Sequence, residues 1–230
     1  MKIGFNSGVV PPLDQAAEGR RDRVLFALAE MGIASTSGVL AFVGMVYRFA
    51  PERLSHVQRV ATLAVGTGSQ LGLRGTELAE LERAALVHDL GKLVLPDPPS
   101  SKLVEWAPER GLATRQGIVA ADLLASVIFL RPASNIVRAM NEWTDGSGQP
   151  RGLSGEAIPI AARILAVADA LDVMTAVCRD LAWPRDLAVV ELVRQAGVRF
   201  DATVITAALE VDDVPPVEPS PWLSEPRGVV

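Results

Sequence analysis

Residues 76–92 read TELAELERAALVHDLGK and combine a helical pattern with a histidine–aspartate pair. Leu81, Ala85 and His88 recur at spacings of four and three, so they share one face of a helix, and that face is apolar. Thr76 is expected to cap the start of this helix. His88 is therefore predicted to point inward, where an imidazole is costly unless it is hydrogen-bonded, paired or bound to a metal.

Two further predicted helices direct potential metal ligands toward the core. Glu52 and His56 lie one turn apart on the same stripe of a helix, so we expect both to face inward. Asp169 lies on the apolar face of a later helix, and Asp172 shares that face, where we expect it to cap or pair locally. His56 and His88 are the two histidines of the chain. This pattern favours a shared metal site, and the alternative is a set of separately hydrogen-bonded core residues.

Helical periodicity also dominates the rest of the chain. No stretch shows the alternation that is typical of strands, and no internal repeat is present. We therefore predict an all-α domain, a bundle of about seven to nine helices. The predicted helices cover about residues 15–31, 37–49, 51–70, 76–90, 114–129, 133–142, 159–177, 184–196 and 202–210.

The domain organisation follows from this pattern and from the distribution of proline. Residues 1–36 are predicted to form an N-terminal segment with one charged helix, and residues 37–211 the helical domain. The tail, residues 212–230, is rich in proline and is expected to be disordered, because its composition buries little apolar surface.

Composition excludes several classes of function. The net charge is −5 and there is no basic run, so binding along a nucleic-acid backbone is not expected. A small phosphorylated ligand, which needs only a few local cations or a metal, is compatible with this charge. Cys178 is the single cysteine, so no intrachain disulfide forms, which fits a cytoplasmic protein. The apolar stretch 38–47 is too short to span a membrane.

The candidate ligands resemble the signature of the HD superfamily of metal-dependent phosphohydrolases. That signature is a histidine, a His-Asp pair and a later aspartate, and the matching residues are His56, His88-Asp89 and Asp169. The resemblance implies an HD-domain helical bundle. It also implies that these four residues hold one divalent transition metal such as iron or manganese.

A closer resemblance is to the HD-GYP branch, the bacterial cyclic-di-GMP phosphodiesterases. It covers about residues 40–210 and implies a phosphorylated small molecule, such as a cyclic dinucleotide, as the ligand. Four stretches carry it: His88-Asp89-Leu90-Gly91-Lys92 with Leu95-Pro96; Asp145-Gly146-Ser147-Gly148-Gln149-Pro150 with Gly152-Leu153; Ile158-Pro159 with the segment from Ala162 to Asp169; and Gly197 with Phe200-Asp201.

The chain departs from that branch at four positions and in one segment. Gln116 stands where the family usually has a further histidine, and Met140-Asn141 stands where it has a histidine pair. Gln149 replaces the tyrosine of the Gly-Tyr-Pro signature, and only Arg179, displaced by one position, is left of a phosphate-binding segment. A thioether and carboxamides are poor ligands compared with imidazole. The resemblance therefore implies one metal site, with a second site lost.

Two functions remain open at this level. The first is an enzyme in which Asp89 and Lys92 serve catalysis. The second is a regulatory module in bacterial signalling that binds a protein partner or a nucleotide without turnover. Lys92 could instead be a solvated cation at a helix end, and the loop 145–150 could be an ordinary turn. Glu52 matches an acid that some family members use for an additional metal, or it orients His56.

Overall fold

A computed structural model describes residues 12–96, 110–175 and 183–212. Nine helices of nine or more residues and one single-turn helix make up this part of the chain, and the prediction of an all-α domain is confirmed. The helices are α1 (Gln15–Glu30), α2 (Thr36–Val46), α3 (Pro51–Gln70), α4 (Thr76–Val87), α5 (Gly91–Val94), α6 (Arg110–Ala125), α7 (Arg131–Ala139), α8 (Ile160–Thr175), α9 (Arg185–Arg194) and α10 (Ala202–Asp212).

The predicted helix over residues 76–90 is divided in the structure. α4 ends at Val87, and a 3₁₀ turn over His88–Leu90 leads directly into α5. The N-cap is Gly75, whose φ of +49° suits glycine, and Thr76 is the first helical residue rather than the cap. The 3₁₀ turn winds the chain more tightly than an α-helix, so His88 and Asp89 leave the regular helical path where the predicted ligands lie.

The core is centred on α3, which packs against α4, α8 and α10. α7 packs on α4, and α6 packs on both α5 and the 3₁₀ turn. A Cβ at Gly91 would overlap the backbone carbonyl of Gln116, so glycine is what allows α5 to approach α6 so closely. Together these contacts bring α3, the 3₁₀ turn and α8 into one neighbourhood.

The N-terminal charged helix packs against this domain. α1 contacts α5, and the Arg20 side chain donates a hydrogen bond from Nε to the carbonyl of Val94 at 2.7 Å. The boundary proposed at residue 36 stays a prediction, and residues 213–230, for which disorder is predicted, lie outside the described residues. Among the helices described, none combines the length and the apolar character needed to cross a membrane.

Candidate metal centre

Four side chains from three elements converge on one point. His56 comes from α3, His88 and Asp89 come from the 3₁₀ turn, and Asp169 comes from α8. The Nε2 atoms of His56 and His88 lie 3.4 Å apart, and Asp169 Oδ1 lies 3.3 and 3.4 Å from them. Asp89 Oδ1 is 3.4 Å from His88 Nε2, and its Oδ2 is 3.7 Å from His56 Nε2. Three of the four predicted ligands, His56, His88 and Asp169, therefore form one potential metal-binding group, and Asp89 lies beside them.

These separations fit a transition metal. Metal–nitrogen and metal–oxygen bonds of about 2.1 Å place neighbouring ligand atoms about 3.0 Å apart at right angles and about 3.4 Å apart in a tetrahedron. His56, His88 and Asp169 form such a cluster: each offers one ligand atom, and these three atoms all lie within 4.8 Å of one another. Among the described residues, buried Asp169 Oδ1 also has no hydrogen-bond partner of good geometry, so a cation bound there would satisfy it.

Both imidazoles are held through the nitrogen that faces away from the cluster. His88 Nδ1 lies 2.7 Å from the carbonyl oxygen of Ala85, and His56 Nδ1 lies 2.7 Å from Asp172 Oδ2. Each of these oxygens can only accept, so each Nδ1 donates its hydrogen. In the neutral imidazole the lone pair then lies on Nε2, and each Nε2 faces the shared cluster, as metal ligation requires.

The charges around the cluster favour a cation. Burial lowers the pKa of His56, but the carboxylates of Asp169 and Asp172 outweigh it and raise the pKa to about 10. Burial raises the pKa of Asp89, but Lys92 and the histidines outweigh it and lower the pKa to about 2. Burial also raises the pKa of Asp169, but the two imidazoles outweigh burial and hold this pKa well below its usual range. The carboxylates that favour a proton on His56 also favour a divalent cation.

Lys92 lies at the edge of the cluster. Its Nζ is 2.9 Å from Asp89 Oδ2, and its side chain is 19% exposed. This largely buried ion pair does not fit the alternative of a solvated cation at a helix end. Lys92 is therefore placed beside the candidate ligand Asp89, one helical turn further along the chain.

Glu52 is exposed, so the prediction that it faces the core beside His56 is wrong. Four residues advance a helix by about 400°, so Glu52 is rotated by about 40° from His56. Glu52 also belongs to the first turn of α3, next to the exposed Pro51. The Nδ1 of His56, which Glu52 was expected to orient, is bonded to Asp172 instead.

The residues at the positions of the missing histidines make contacts with the backbone. Gln116 is buried and donates from Nε2 to the carbonyl of Leu95 at 2.7 Å. Asn141 donates from Nδ2 to the carbonyl of Ala113 at 3.4 Å. Met140 packs against the hydrophobic core. Arg179 lies outside the described residues, so its predicted role has no structural description.

A buried acid binds the backbone immediately after the loop over residues 145–150. Glu142 accepts hydrogen bonds from the backbone N–H groups of Arg151 and Leu153 at 2.8 and 3.0 Å. A Cβ on Gly148 would overlap the backbone of residues 141–143, so this glycine lies directly against the segment that follows α7. Gln149 is exposed. The loop is more constrained than an ordinary surface turn.

Asp172 and Arg59 form a cross-helix pair that the sequence reasoning missed. Asp172 was predicted to cap or pair locally, and this prediction is wrong. Its carboxylate instead contacts His56 and Arg59 of α3. The signal was present as a spacing: Asp172 follows Asp169 by three residues, and Arg59 follows His56 by three. Two such pairs on two inward-facing helices predict a contact when the helices pack together.

Tyr47 is a second residue that the sequence pattern did not single out. It is buried, and within the described part of the chain its hydroxyl has no hydrogen-bond partner. Burial and then the negative charge of Asp89 raise its pKa, so the phenol stays protonated.

Comparison with known proteins shows the family of the chain. The HD domain family profile matches residues 45–204. The cyclic di-GMP phosphodiesterase response regulator RpfG of Xanthomonas campestris is 37% identical over 164 residues, which are 69% of this chain and 41% of that protein. The 3'3'-cGAMP-specific phosphodiesterase 2 of Vibrio cholerae is 30% identical over 168 residues, 69% of this chain and 31% of its own length. The chain thus spans less than half of these curated relatives.

A solved structure shows the same fold. The protein Bd1817 from Bdellovibrio bacteriovorus, described as a HDG"Y"P protein, aligns with a TM-score of 0.57 at 18% identity over 86% of this chain and 71% of its own. The expected helical bundle is therefore confirmed. Because the family profile covers most of the chain, this protein belongs to the HD domain family.

Proposed function

We propose that this chain is a metal-dependent phosphodiesterase that acts on a cyclic dinucleotide such as cyclic di-GMP. The observation that carries the proposal is the cluster of His56, His88 and Asp169 at separations suited to one metal, with Asp89 beside it at 3.4 Å from His88. The cyclic-dinucleotide phosphodiesterases among its relatives support the substrate class.

The donor set suits one divalent transition metal such as iron or manganese. Two imidazoles and two carboxylates match the borderline to hard character of these ions. A metal bound there would supply a Lewis acid for a phosphoryl oxygen and lower the pKa of a coordinated water. Gln116, Met140 and Asn141 offer weaker donors at the positions of the missing histidines, which supports a single-metal site.

The protein's own groups then have distinct tasks in hydrolysis. Asp89, with its pKa near 2, stays ionised and accepts a hydrogen bond that orients the attacking water. Lys92 keeps its ammonium beside Asp89 and offsets negative charge on the phosphate. With a single metal, Lys92 supplies part of the neutralisation that a second cation gives in two-metal enzymes.

A regulatory module without turnover is the second candidate. Gln149 and Gln116 favour it, since the signature tyrosine and a further metal ligand are absent and Gln116 is already bonded to a backbone carbonyl. Such a module would bind a signalling protein or a nucleotide through the same fold.

Metal content and turnover test this proposal together. Elemental analysis of the purified chain is expected to give about one transition metal per chain, and His88→Ala is expected to abolish it. Two tightly bound metals per chain would contradict the single-metal site.

Hydrolysis of cyclic di-GMP and of a generic phosphodiester is then measured with Fe²⁺ and Mn²⁺. The enzyme predicts turnover in the wild type and its loss in Asp89→Ala. No turnover with any divalent metal, in a chain that binds metal, would favour the regulatory module.

A further inference from the structure

We infer that Asp172 and Arg59 are positioning residues that hold the imidazole of His56 with its Nε2 directed at the metal site. The inference rests on the proposed metal-dependent function. It states that two residues outside the ligand set orient one of the ligands. Three contacts carry it, all between α3 and α8.

The first contact fixes the ring of His56. Its Nδ1 lies 2.7 Å from Asp172 Oδ2, and Asp172 is 8% exposed. The carboxylate of Asp172 also accepts hydrogen bonds from Arg59 at both of its oxygens, so it acts as an acceptor toward His56 and the hydrogen in that contact belongs to Nδ1. This leaves the lone pair of Nε2 for the cation.

The second and third contacts fix Asp172 itself. Arg59 Nε lies 2.6 Å from Asp172 Oδ1, and Arg59 Nη2 lies 2.9 Å from Oδ2. A guanidinium that binds both oxygens sets the plane of the carboxylate, which a single ammonium cannot do. Arg59 and His56 lie one turn apart on α3, so Asp172 bridges two residues of the same helix. The buried carboxylate also needs this cation, because it is costly without one.

His88 provides a comparison within the same site. Its Nδ1 donates to the backbone carbonyl of Ala85 at 2.7 Å, a contact that no side-chain substitution removes. The orientation of His56 depends instead on two replaceable side chains. A carboxylate acceptor also makes an imidazole a stronger metal donor than a neutral carbonyl does.

The first measurement is the Kd for Zn²⁺, determined by calorimetry on the full chain. Asp172→Ala is expected to weaken binding by about 10- to 100-fold, and Arg59→Ala by less, because Asp172 remains. Arg59→Lys is expected to restore only part of the loss, since lysine keeps the charge but not the fork. Circular dichroism establishes that each variant is folded.

The matched control is Arg194→Ala. Arg194 makes the same two-pronged contact with Glu191, at 2.6 and 2.7 Å, on the exposed surface of α9. Its removal is expected to leave the Kd for Zn²⁺ unchanged. Equal Zn²⁺ affinity in folded Asp172→Ala and in the wild type would overturn the inference, because the pair would then serve only to join α3 and α8.

A second measurement does not depend on metal. In metal-free protein with ¹⁵N-labelled histidine, the Nδ1 proton of His56 is expected as a protected downfield resonance, assigned with His88→Gln. It should disappear in Asp172→Ala and persist in Arg194→Ala. If the wild type binds no metal, the proposed function fails, and this proton still decides the inference: its loss with Asp172 supports it, and its persistence there overturns it.

Discussion

Both carboxylate oxygens of Asp89 lie against the candidate cluster. Oδ1 is 3.4 Å from His88 Nε2, whereas Oδ2 is 3.7 Å from His56 Nε2 and also receives the ammonium of Lys92 at 2.9 Å. In the proposed mechanism, metal binding by the cluster and charge neutralisation by Lys92 would be separate tasks of neighbouring side chains.

Replacing Lys92 tests that separation. Lys92→Met is expected to lower kcat by at least about 10-fold, because a cation that offsets phosphate charge is removed. The metal content should stay near that of the wild type, since no ligand is changed. Steady-state kinetics and elemental analysis on the same preparation check both expectations. Loss of metal together with activity would show that Lys92 serves the metal site instead.

At the scale of elements, α10 is tied to α8 through its cap. Asp201 accepts hydrogen bonds at Oδ1 from the backbone N–H groups of Thr203 and Val204, at 2.8 and 3.4 Å, and its Oδ2 pairs with Arg163 of α8. Because α8 carries Asp169, this contact supports the element that brings a candidate ligand to the site. The pair joins two of the stretches that carry the family resemblance.

The Asp201 contact predicts a pH dependence of stability. Burial raises the pKa of Asp201, but Arg163 and the two N–H groups outweigh it, so the pKa is lowered in the folded state. The stabilisation is therefore fully present above the unfolded value of about 3.9 and is lost as the pH falls through the lower folded value.

Asp201→Asn keeps a capping side chain but loses the ion pair with Arg163. Urea unfolding is expected to show it less stable than the wild type at pH 7, with the difference shrinking below about pH 4. Asp201→Ala should lose about 1 kcal/mol more, because it also lacks the cap. A difference between wild type and Asp201→Asn that is constant from pH 7 to pH 3 would contradict this account.

At the scale of the whole molecule, the candidate ligands tie together three elements that are distant in sequence. α3, the 3₁₀ turn and α8 each contribute at least one donor. In this arrangement a metal would bind the folded chain and not the unfolded one, since the donors meet only after α3 and α8 pack.

This arrangement predicts linkage between metal and stability. Adding Mn²⁺ at about 100 times its Kd is expected to stabilise the chain by about 2.7 kcal/mol, and chelation by EDTA should reverse the effect. Differential scanning calorimetry measures the shift in Tm. His88→Ala serves as the control, because its Tm should not respond to the metal. A wild-type Tm that is insensitive to divalent metals would argue against a site on these helices.

The helical class, the approximate extents of the main helices and the candidate ligands could all be predicted from the amino-acid sequence. Periodicity of apolar residues is a local property, so it was enough to predict that His56, His88 and Asp169 face the core. The family resemblance then grouped them with Asp89. The 3₁₀ turn at His88 and the exposure of Glu52 could not be predicted in this way, because packing against neighbouring elements decides where a helix tightens and where it ends.

The side chains that contact the candidate ligands became visible only in the folded chain. Asp172 was visible in the sequence as an acid on an inward face, but its partners His56 and Arg59 lie more than one hundred positions away. The spacing of these residues on α3 and α8 indicates that they share the faces of the candidate ligands, but the 2.7 Å contact itself depends on how the two helices cross. Local patterns and the family resemblance were therefore enough to predict the candidate ligands. The contacts of Asp172 and Arg59 with His56 could be found only in the folded chain.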